Sequence, residues 1–445
     1  MNEHVLTRRT GAAATAPTTR RRSHRAVAIP AFQICLLLFV VADAFSQQKF
    51  GLPIPVSPDR ILFAAFFVLL VVDPRVPWRS WRIHSASWIA LAALVWASLS
   101  ALYAGTLTTK LGAFALLDRL AIPYLLFVLA PVALSTRRSR VLILQVLCLL
   151  GLYLGLTAVF EVVGPHSLVF PSYIMNPHFG ISFGRARGPL GGSDADASTM
   201  AICLFASVAL RSVTTPRTGW RAVGALSAAA SLVGVLLALT RAEWIGTGIA
   251  IVVVGLLTPS VRRRLPALIL AIAIAIGAAL VVSPALRDDV FHRASTSRSV
   301  YDRENTNSGG VRALESNPLF GIGWTEFLSE SARYVRQSDR YPLTTTDIEI
   351  HNVPLSRLAE LGLLGGTLWI LSVLCGPVAA MFTRRRDDPL DEAYRVAFVG
   401  IAIVWLIAIQ FSPFPYPLPN ALVFLLAGTV LSPLGQPQPT DAEGR

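Results

Sequence analysis

Arg137-Arg138-Ser139-Arg140 leads into VLILQVLCLLGLYLGLTAVFEVV at positions 141–163, an apolar run whose one formal charge is Glu161 near its far end. The run shows neither the alternation of a half-buried strand nor the single stripe of a surface helix. A helix that is apolar all round belongs in the core of a large protein or in lipid, and about 20 such residues reach across a bilayer's hydrocarbon. The arginine cluster in front of it marks the end that stays in the cytoplasm.

The rest of the chain repeats this pattern. Of 445 residues, 53% are hydrophobic and 15% charged, against about 25% charged in an ordinary soluble chain; the mean hydropathy is +0.57. Twelve apolar blocks are legible, at roughly 27–45, 57–73, 85–104, 111–134, 141–163, 195–211, 220–240, 242–258, 265–283, 353–382, 392–411 and 417–433. The second is interrupted by Pro58 and Asp59, and only Arg241 separates the seventh from the eighth. The expected fold is an all-α integral membrane protein of about twelve transmembrane helices. Arginines fill every second connection: Arg20, Arg21, Arg22 and Arg25; Arg75, Arg79 and Arg82; Arg137, Arg138 and Arg140; Arg217 and Arg221; Arg262, Arg263 and Arg264; Arg384, Arg385 and Arg386. The intervening connections hold little, such as Lys49 and Arg60, or Lys110 alone. By the positive-inside rule both termini are expected in the cytoplasm, in a multi-pass protein of the cytoplasmic (inner or plasma) membrane. The net charge of +13 then reads as a topogenic signal that also meets anionic lipid, and no nucleic-acid partner is expected. The N-terminus lacks the short apolar core and cleavage site of a signal peptide. Cys35, Cys148, Cys203 and Cys375 all fall inside apolar blocks, which excludes a disulfide framework.

The chain divides into a basic cytoplasmic tail expected to be disordered (1–24), a membrane domain (25–433) and a short cytoplasmic tail (434–445). Two extracytoplasmic insertions stand out. The first, about 164–194, is rich in Pro, Gly, Phe and Ser; the second, about 284–352, balances Arg against Asp and Glu and reads as a small folded cap before the tenth span. Short helices are expected near 309–316 and 324–337, separated by the turn signals Asn317-Pro318 and Gly321/Gly323.

The chemistry gathers on this outer side. His351 closes the second insertion; Asn352 is a natural N-cap and Pro354 suits the first turn of the following helix. An imidazole beside the positive end of a helix dipole is held neutral and can accept a proton; a loop histidine without a role is the competing reading. Arg185, Arg187 and Arg241 break the charge rule by standing outside. An arginine there is costly unless paired or used, and its planar fork binds phosphate oxygens bidentately. The alternative for Arg241 is an ion pair with Glu243. Asp118 and Arg119 adjoin within the fourth span, so each is expected to meet a partner on a different helix. Glu360 has Arg357 three residues before it as a structural partner. No phosphate-binding loop and no zinc spacing is present, so no metal and no cofactor is expected.

At these residues the chain resembles the O-antigen ligase and O-antigen polymerase superfamily of polytopic, lipid-linked glycan transferases. Arg312 with Asn317-Pro318-Leu319-Phe320-Gly321-Ile322-Gly323 is similar to the family's arginine and "Pro-Leu-x-Gly-x-Gly" turn. His351-Asn352 running on to Glu360-Leu361-Gly362-Leu363-Leu364-Gly365 is similar to its "His-Asn-x-x-Leu … Glu-x-Gly-x-x-Gly" string, and Leu239-Thr240-Arg241 to its "Ser/Thr-Arg" turn. Arg187-Gly188 with Gly192-Ser193-Asp194-Ala195 is a looser match to an Asn-Pro-Asn-like element. The resemblance implies a metal-independent membrane glycosyltransferase of cell-surface or exopolysaccharide biosynthesis. Its donor would be a glycan on undecaprenyl diphosphate, its acceptor the hydroxyl of a glycan or lipid-glycan. His351, Arg241 and Arg187 would be catalytic; Arg185, Arg312 and Asn352 would bind substrate. A twelve-span secondary transporter is the alternative, and it would call for internal repeats and charged, broken helices at the midplane.

Overall fold

The computed structural model describes residues 29–47, 57–78, 81, 83–215, 217–282, 284–336 and 348–434. Among them there are helices and connecting segments and no strand. In chain order the helices are α1 (Ala31–Asp43), α2 (Pro58–Val72), α3 (Ser85–Tyr103), α4 (Lys110–Leu116) and α5 (Ile122–Ala133), α4 and α5 being joined by a π-helical turn at Leu117–Ala121. Next come α6 (Arg137–Val162), α7 (Ser193–Val213), α8 (Trp220–Leu237), α9 (Arg241–Leu257), the short α10 (Pro259–Arg262) and α11 (Leu265–Val282). The second insertion supplies α12 (Pro284–Ser295), α13 (Arg298–Ser316) and the single turns α14 (Glu326–Ser329) and α15 (Ser331–Tyr334). The chain closes with α16 (Val353–Val373), α17 (Ala379–Met381), α18 (Pro389–Phe411) and α19 (Pro417–Leu431).

Every one of the twelve apolar blocks contains a helix. Seven segments among the described residues are long and apolar enough to cross a membrane on their own: 85–103, 110–133, 137–162, 193–213, 220–237, 353–381 and 389–411. Others are shorter, with 13 residues in α1, 15 in α2, 17 in α9 and 15 in α19. The tail expected at 1–24 and all of the tail expected at 434–445 but Leu434, along with Arg79, Arg82 and Lys49, lie outside the described residues.

Packing follows side-chain size. In α7 the sequence SDADASTMAICLFASVALRSV offers small residues on every side, and small residues let helix backbones approach closely in apolar surroundings. It is accordingly the most enclosed membrane-length helix, with 78% of its apolar window buried, and α18 follows with 67%. Polar links fasten this centre: Ser207 Oγ lies 2.9 Å from Ser227 Oγ, and Ser227 Oγ donates to the Cys148 carbonyl at 2.6 Å. The four cysteines are free.

Helix ends gather in two sets. At one end the start of α6, the start of α18 and the end of α19 meet around Arg140, which pairs with Asp391 at 2.5 Å and also donates to the carbonyls of Leu134 and Ser432. Arg137 joins Asp388 there at 2.8 Å. At the opposite end lie the starts of α7, α16 and α19 and the end of α18, tied by Ser412 Oγ to Asp194 at 2.9 Å and by Asn352 Nδ2 to Gln410 Oε1 at 3.0 Å.

The tenth block departs from the uninterrupted span expected for it. Within α16, Gly362 stands at φ 70°, ψ −177°, so the helix breaks there. The loop at 318–323 lies along the break. Ile322 and Gly323 N–H donate to the Ala359 and Glu360 carbonyls at 3.0 Å each, and Leu363 N–H donates to the Pro318 carbonyl at 2.7 Å. Trp96 Nε1 takes the Leu361 carbonyl at 3.0 Å. Broken backbone at such depth survives where protein satisfies it. A Cβ at Gly321 would strike the Glu360 carbonyl, and one at Gly362 the Leu319 backbone. The two glycine strings noted in the sequence are therefore two sides of one joint. The insertion also differs from expectation: 309–316 is the end of the 19-residue α13, and 324–336 holds two single turns in place of one helix. Trp324, fully buried, donates Nε1 to the Gly112 carbonyl at 3.1 Å and stacks under Arg357, which keys this stretch into the bundle.

Candidate functional site

His351 sits where the second insertion turns into α16. Asn352 caps that helix, its Oδ1 accepting from Leu355 N–H at 2.9 Å with Pro354 in the first turn. Both ends of the Asn352 amide are thus engaged, one by the helix and one by Gln410. The His351 Nδ1 lies 3.3 Å from Thr306 Oγ1. The Thr306 hydroxyl donates to the Asp302 carbonyl at 2.8 Å, so its oxygen can accept from a ring proton on Nδ1; in that tautomer Nε2 carries the lone pair. Burial pushes the His351 pKa down to about 4, and the Arg303 guanidinium pushes the same way; Asp194 and Glu349 pull against them. The imidazole is neutral at pH 7, as a proton acceptor must be.

Glu349 is held by Arg119 in a two-pronged bond of 2.7 and 3.1 Å. Arg119's neighbour Asp118 pairs with Arg60 at 2.5 Å. The expectation that each of these adjacent charges meets a partner on another helix is met for Asp118, through Arg60 of α2, but not for Arg119, whose partner Glu349 lies in the connection before α16. Arg357 and Glu360 pair at 3.1 Å, as their spacing implied.

The arginines of the first insertion have separate fates. Arg187 is fully buried. Its guanidinium donates to the carbonyls of Phe179, Ile174 (2.9 Å) and Asn176 (2.7 Å) and lies 3.5 Å from Glu161. Glu161 also accepts the backbone N–H groups of Arg187 and Gly188. A guanidinium so committed organises its own loop and has no face left for a phosphate. Arg185, two residues earlier, is half-buried and donates to Ser182 Oγ at 2.7 Å; burial lowers its pKa while Asp194 and Tyr416 act to raise it. The Ala186 N–H donates to the Leu237 carbonyl at 3.1 Å, which lays this segment against the turn that bears Arg241.

Arg241 opens α9, half-buried, with Nη2 3.5 Å from the Thr296 carbonyl between α12 and α13. Glu243, considered as its partner, is buried and accepts from Ser198 Oγ at 2.5 Å. Arg312 donates Nε to the Tyr334 carbonyl at 2.7 Å and ties α13 to the end of α15. It lies six residues along α13 from Thr306, about 9 Å at 1.5 Å per residue.

Asp194 is the residue that the sequence did not single out. It accepts from Ser412, and its charge acts on His351, Arg185, Tyr416 and Glu243. Arg303, whose Nε donates to the Phe411 carbonyl at 2.9 Å, is a second. An acid opening α7 in the looser of the resembling strings was the available signal for Asp194. For Arg303 there was none. A cavity of about 450 Å³ opens nearby between α3 and the 317–323 loop, lined by Trp96, Leu99, Tyr103, Asn317 and Phe320. It does not include His351.

What the fold and this cluster define is a polytopic helical membrane protein with a neutral histidine and arginines gathered at the ends of its helices. A protein-family model described as O-antigen ligase matches residues 226–370, so the chain carries an O-antigen ligase superfamily region. The matched segment runs from α8 to α16 and contains Arg241, Arg312, His351, Asn352 and both sides of the Gly321/Gly362 joint. No curated protein matches the chain.

Proposed function

We propose that the chain is a membrane glycosyltransferase that transfers or polymerises a glycan from an undecaprenyl-diphosphate carrier onto an acceptor hydroxyl at the outer face of the cytoplasmic membrane. Twelve spans, with both termini inside, would put the helix ends that carry Arg185, Arg241 and His351 on that face. The observation that carries the reading is that the O-antigen ligase match includes a histidine whose ring burial holds neutral at pH 7. In the reaction the acceptor oxygen attacks the anomeric carbon, the bond from that carbon to the diphosphate oxygen breaks, and the diphosphate leaves with the electron pair. The acceptor's proton passes to His351 Nε2, and single displacement inverts the anomeric centre. Arg241 and Arg185 would neutralise charge growing on the leaving diphosphate, with Arg187 fixing the loop from which Arg185 projects. Asn352 would hold the helix start, and Arg312 the cap.

The donor's activation resides in the diphosphate, so the scheme calls for no nucleotide. A secondary transporter is not favoured: the family match is to an O-antigen ligase model, and the broken α16 has its gap filled by the chain's own 318–323 backbone. The test is the glycan profile of a strain lacking the protein, separated into lipid-linked and surface-attached fractions. Single lipid-linked repeats would identify a polymerase, and full-length chains stranded on the carrier a ligase. An unchanged profile in both fractions would refute the proposal for that pathway.

A further inference from the structure

Away from His351, the end of α1 and the start of α2 enclose an acidic group with no use in the scheme above. Asp43 is 1% exposed and Asp59 3%, and both Asp43 carboxylate oxygens and Asp59 Oδ1 lack a hydrogen-bond partner. The buried Ser57 hydroxyl is likewise without a hydrogen-bond partner, and the buried Ser46 hydroxyl faces Asp43. Ser57 occupies the N-cap of α2 yet makes no side-chain cap bond. Asp43 lies in the field of Asp59, Asp118 and Arg60. Arg60 is already spent: it grips Asp118 through two bonds and lies 4.0 Å over the Phe114 ring. Three carboxylates face one guanidinium in this buried pocket, so with all three ionised two negative charges would stand without a counter-charge. Each such charge costs several kcal/mol unless a counter-charge meets it. Asp43 lies at the carbonyl end of α1, which adds to the negative potential, while Asp59 lies in the first turn of α2, whose positive end offsets part of it.

We propose that Asp43 and Asp59, with the Ser46 and Ser57 hydroxyls, form a site for one hard divalent cation, Ca²⁺ or Mg²⁺. The charge count selects a divalent over a monovalent ion, and an all-oxygen donor set selects a hard cation over zinc. Among the described residues no three acid, His or Cys side chains converge as a cage; the remaining ligands are therefore hydroxyls, backbone carbonyls of the α1 end and water. The site is structural. Asp118 and Arg119 are consecutive in the π-helical turn, and Arg119 holds Glu349, two residues before His351. A cation at Asp43 and Asp59 fixes one side of that turn while Glu349 is held on the other.

The experiment uses the full chain, purified in detergent, stripped with chelator, and titrated with CaCl₂ or MgCl₂ against KCl at matched ionic strength while thermal unfolding is followed. One of the divalent ions is expected to raise the midpoint saturably, by about 5 °C, with no such rise in Asp43→Asn or Asp59→Asn. Should those variants not fold, Ser57→Ala is expected to fold and to bind about tenfold more weakly. No saturable rise in the wild-type chain, or an equal rise in the variants, overturns the proposal. So does a midpoint raised by acid and indifferent to divalent ions, which would mean that the two carboxylates share a proton.

Discussion

Arg185 and Arg187 are two residues apart in one loop and chemically identical, yet the structure separates them. Truncating Arg187 strands Glu161 and three carbonyls in a buried place, and breaking a buried ion pair from one side costs about 3–5 kcal/mol. Arg187→Ala is therefore expected to lower the thermal midpoint sharply, whereas Arg185→Ala keeps the midpoint and loses about 10²-fold in transfer rate. Parallel melting and rate measurements decide between them. His351 gives a pH prediction. Its folded pKa of about 4 lies below its ordinary value of 6.5, so the folded state favours the neutral ring. The stability this contributes is fully present above pH 6.5, and it is lost as pH falls from 6.5 through about 4. The acid limb of kcat/KM is expected near pH 4 to 5. That of kcat is expected at higher pH, because a bound diphosphate adds negative charge beside the ring; a kcat limb lying below that of kcat/KM would contradict this placement. At this scale the sequence showed which residues were costly where they stood, and it could not show which were already satisfied. Arg187's partners are backbone carbonyls of its own loop, invisible in residue identities. Asp194 reads as an ordinary first-turn acid until α16 and α19 arrive beside it.

The lesson at the scale of elements concerns α16. The sequence placed the helix, its Asn352 cap and the Arg357–Glu360 pair, because these are local. It gave no sign that Gly362 interrupts the helix and that the 318–323 backbone completes it, because that bonding joins segments some 40 residues apart. The resembling glycine strings were legible as strings; their meeting was not. A side chain at Gly362 meets both a φ of +70° and the Leu319 backbone. Gly362→Ala is thus expected to cost about 1–3 kcal/mol from backbone strain alone, and to free the 318–323 loop to protease. Unchanged melting and protection would show that the joint is dispensable. The π-helical turn at 117–121 was equally hidden, although the adjacent charges it carries were conspicuous.

Across the whole molecule, the apolar blocks sufficed to place helices at all twelve positions. Their burial was not legible, since α7 at the centre and α3 at the edge are similarly apolar in sequence. Arginine alternation assigns the ends, and the structure gathers those ends in two sets. Single cysteines with the native four replaced test the assignment. Ser182→Cys is expected to react with a membrane-impermeant maleimide in whole cells, and Asp387→Cys only after lysis; the reverse would invert the topology and move His351 to the cytoplasm. The central claim, that His351 takes the proton in glycan transfer from a lipid diphosphate, is tested most directly with the purified chain in lipid nanodiscs. The chain is supplied with a polyprenyl-diphosphate-linked glycan and its acceptor, and turnover is measured beside His351→Ala at equal melting temperature. The account predicts transfer by the wild-type chain and a loss of about 10²–10⁴-fold in the variant; near-normal turnover by His351→Ala would contradict it.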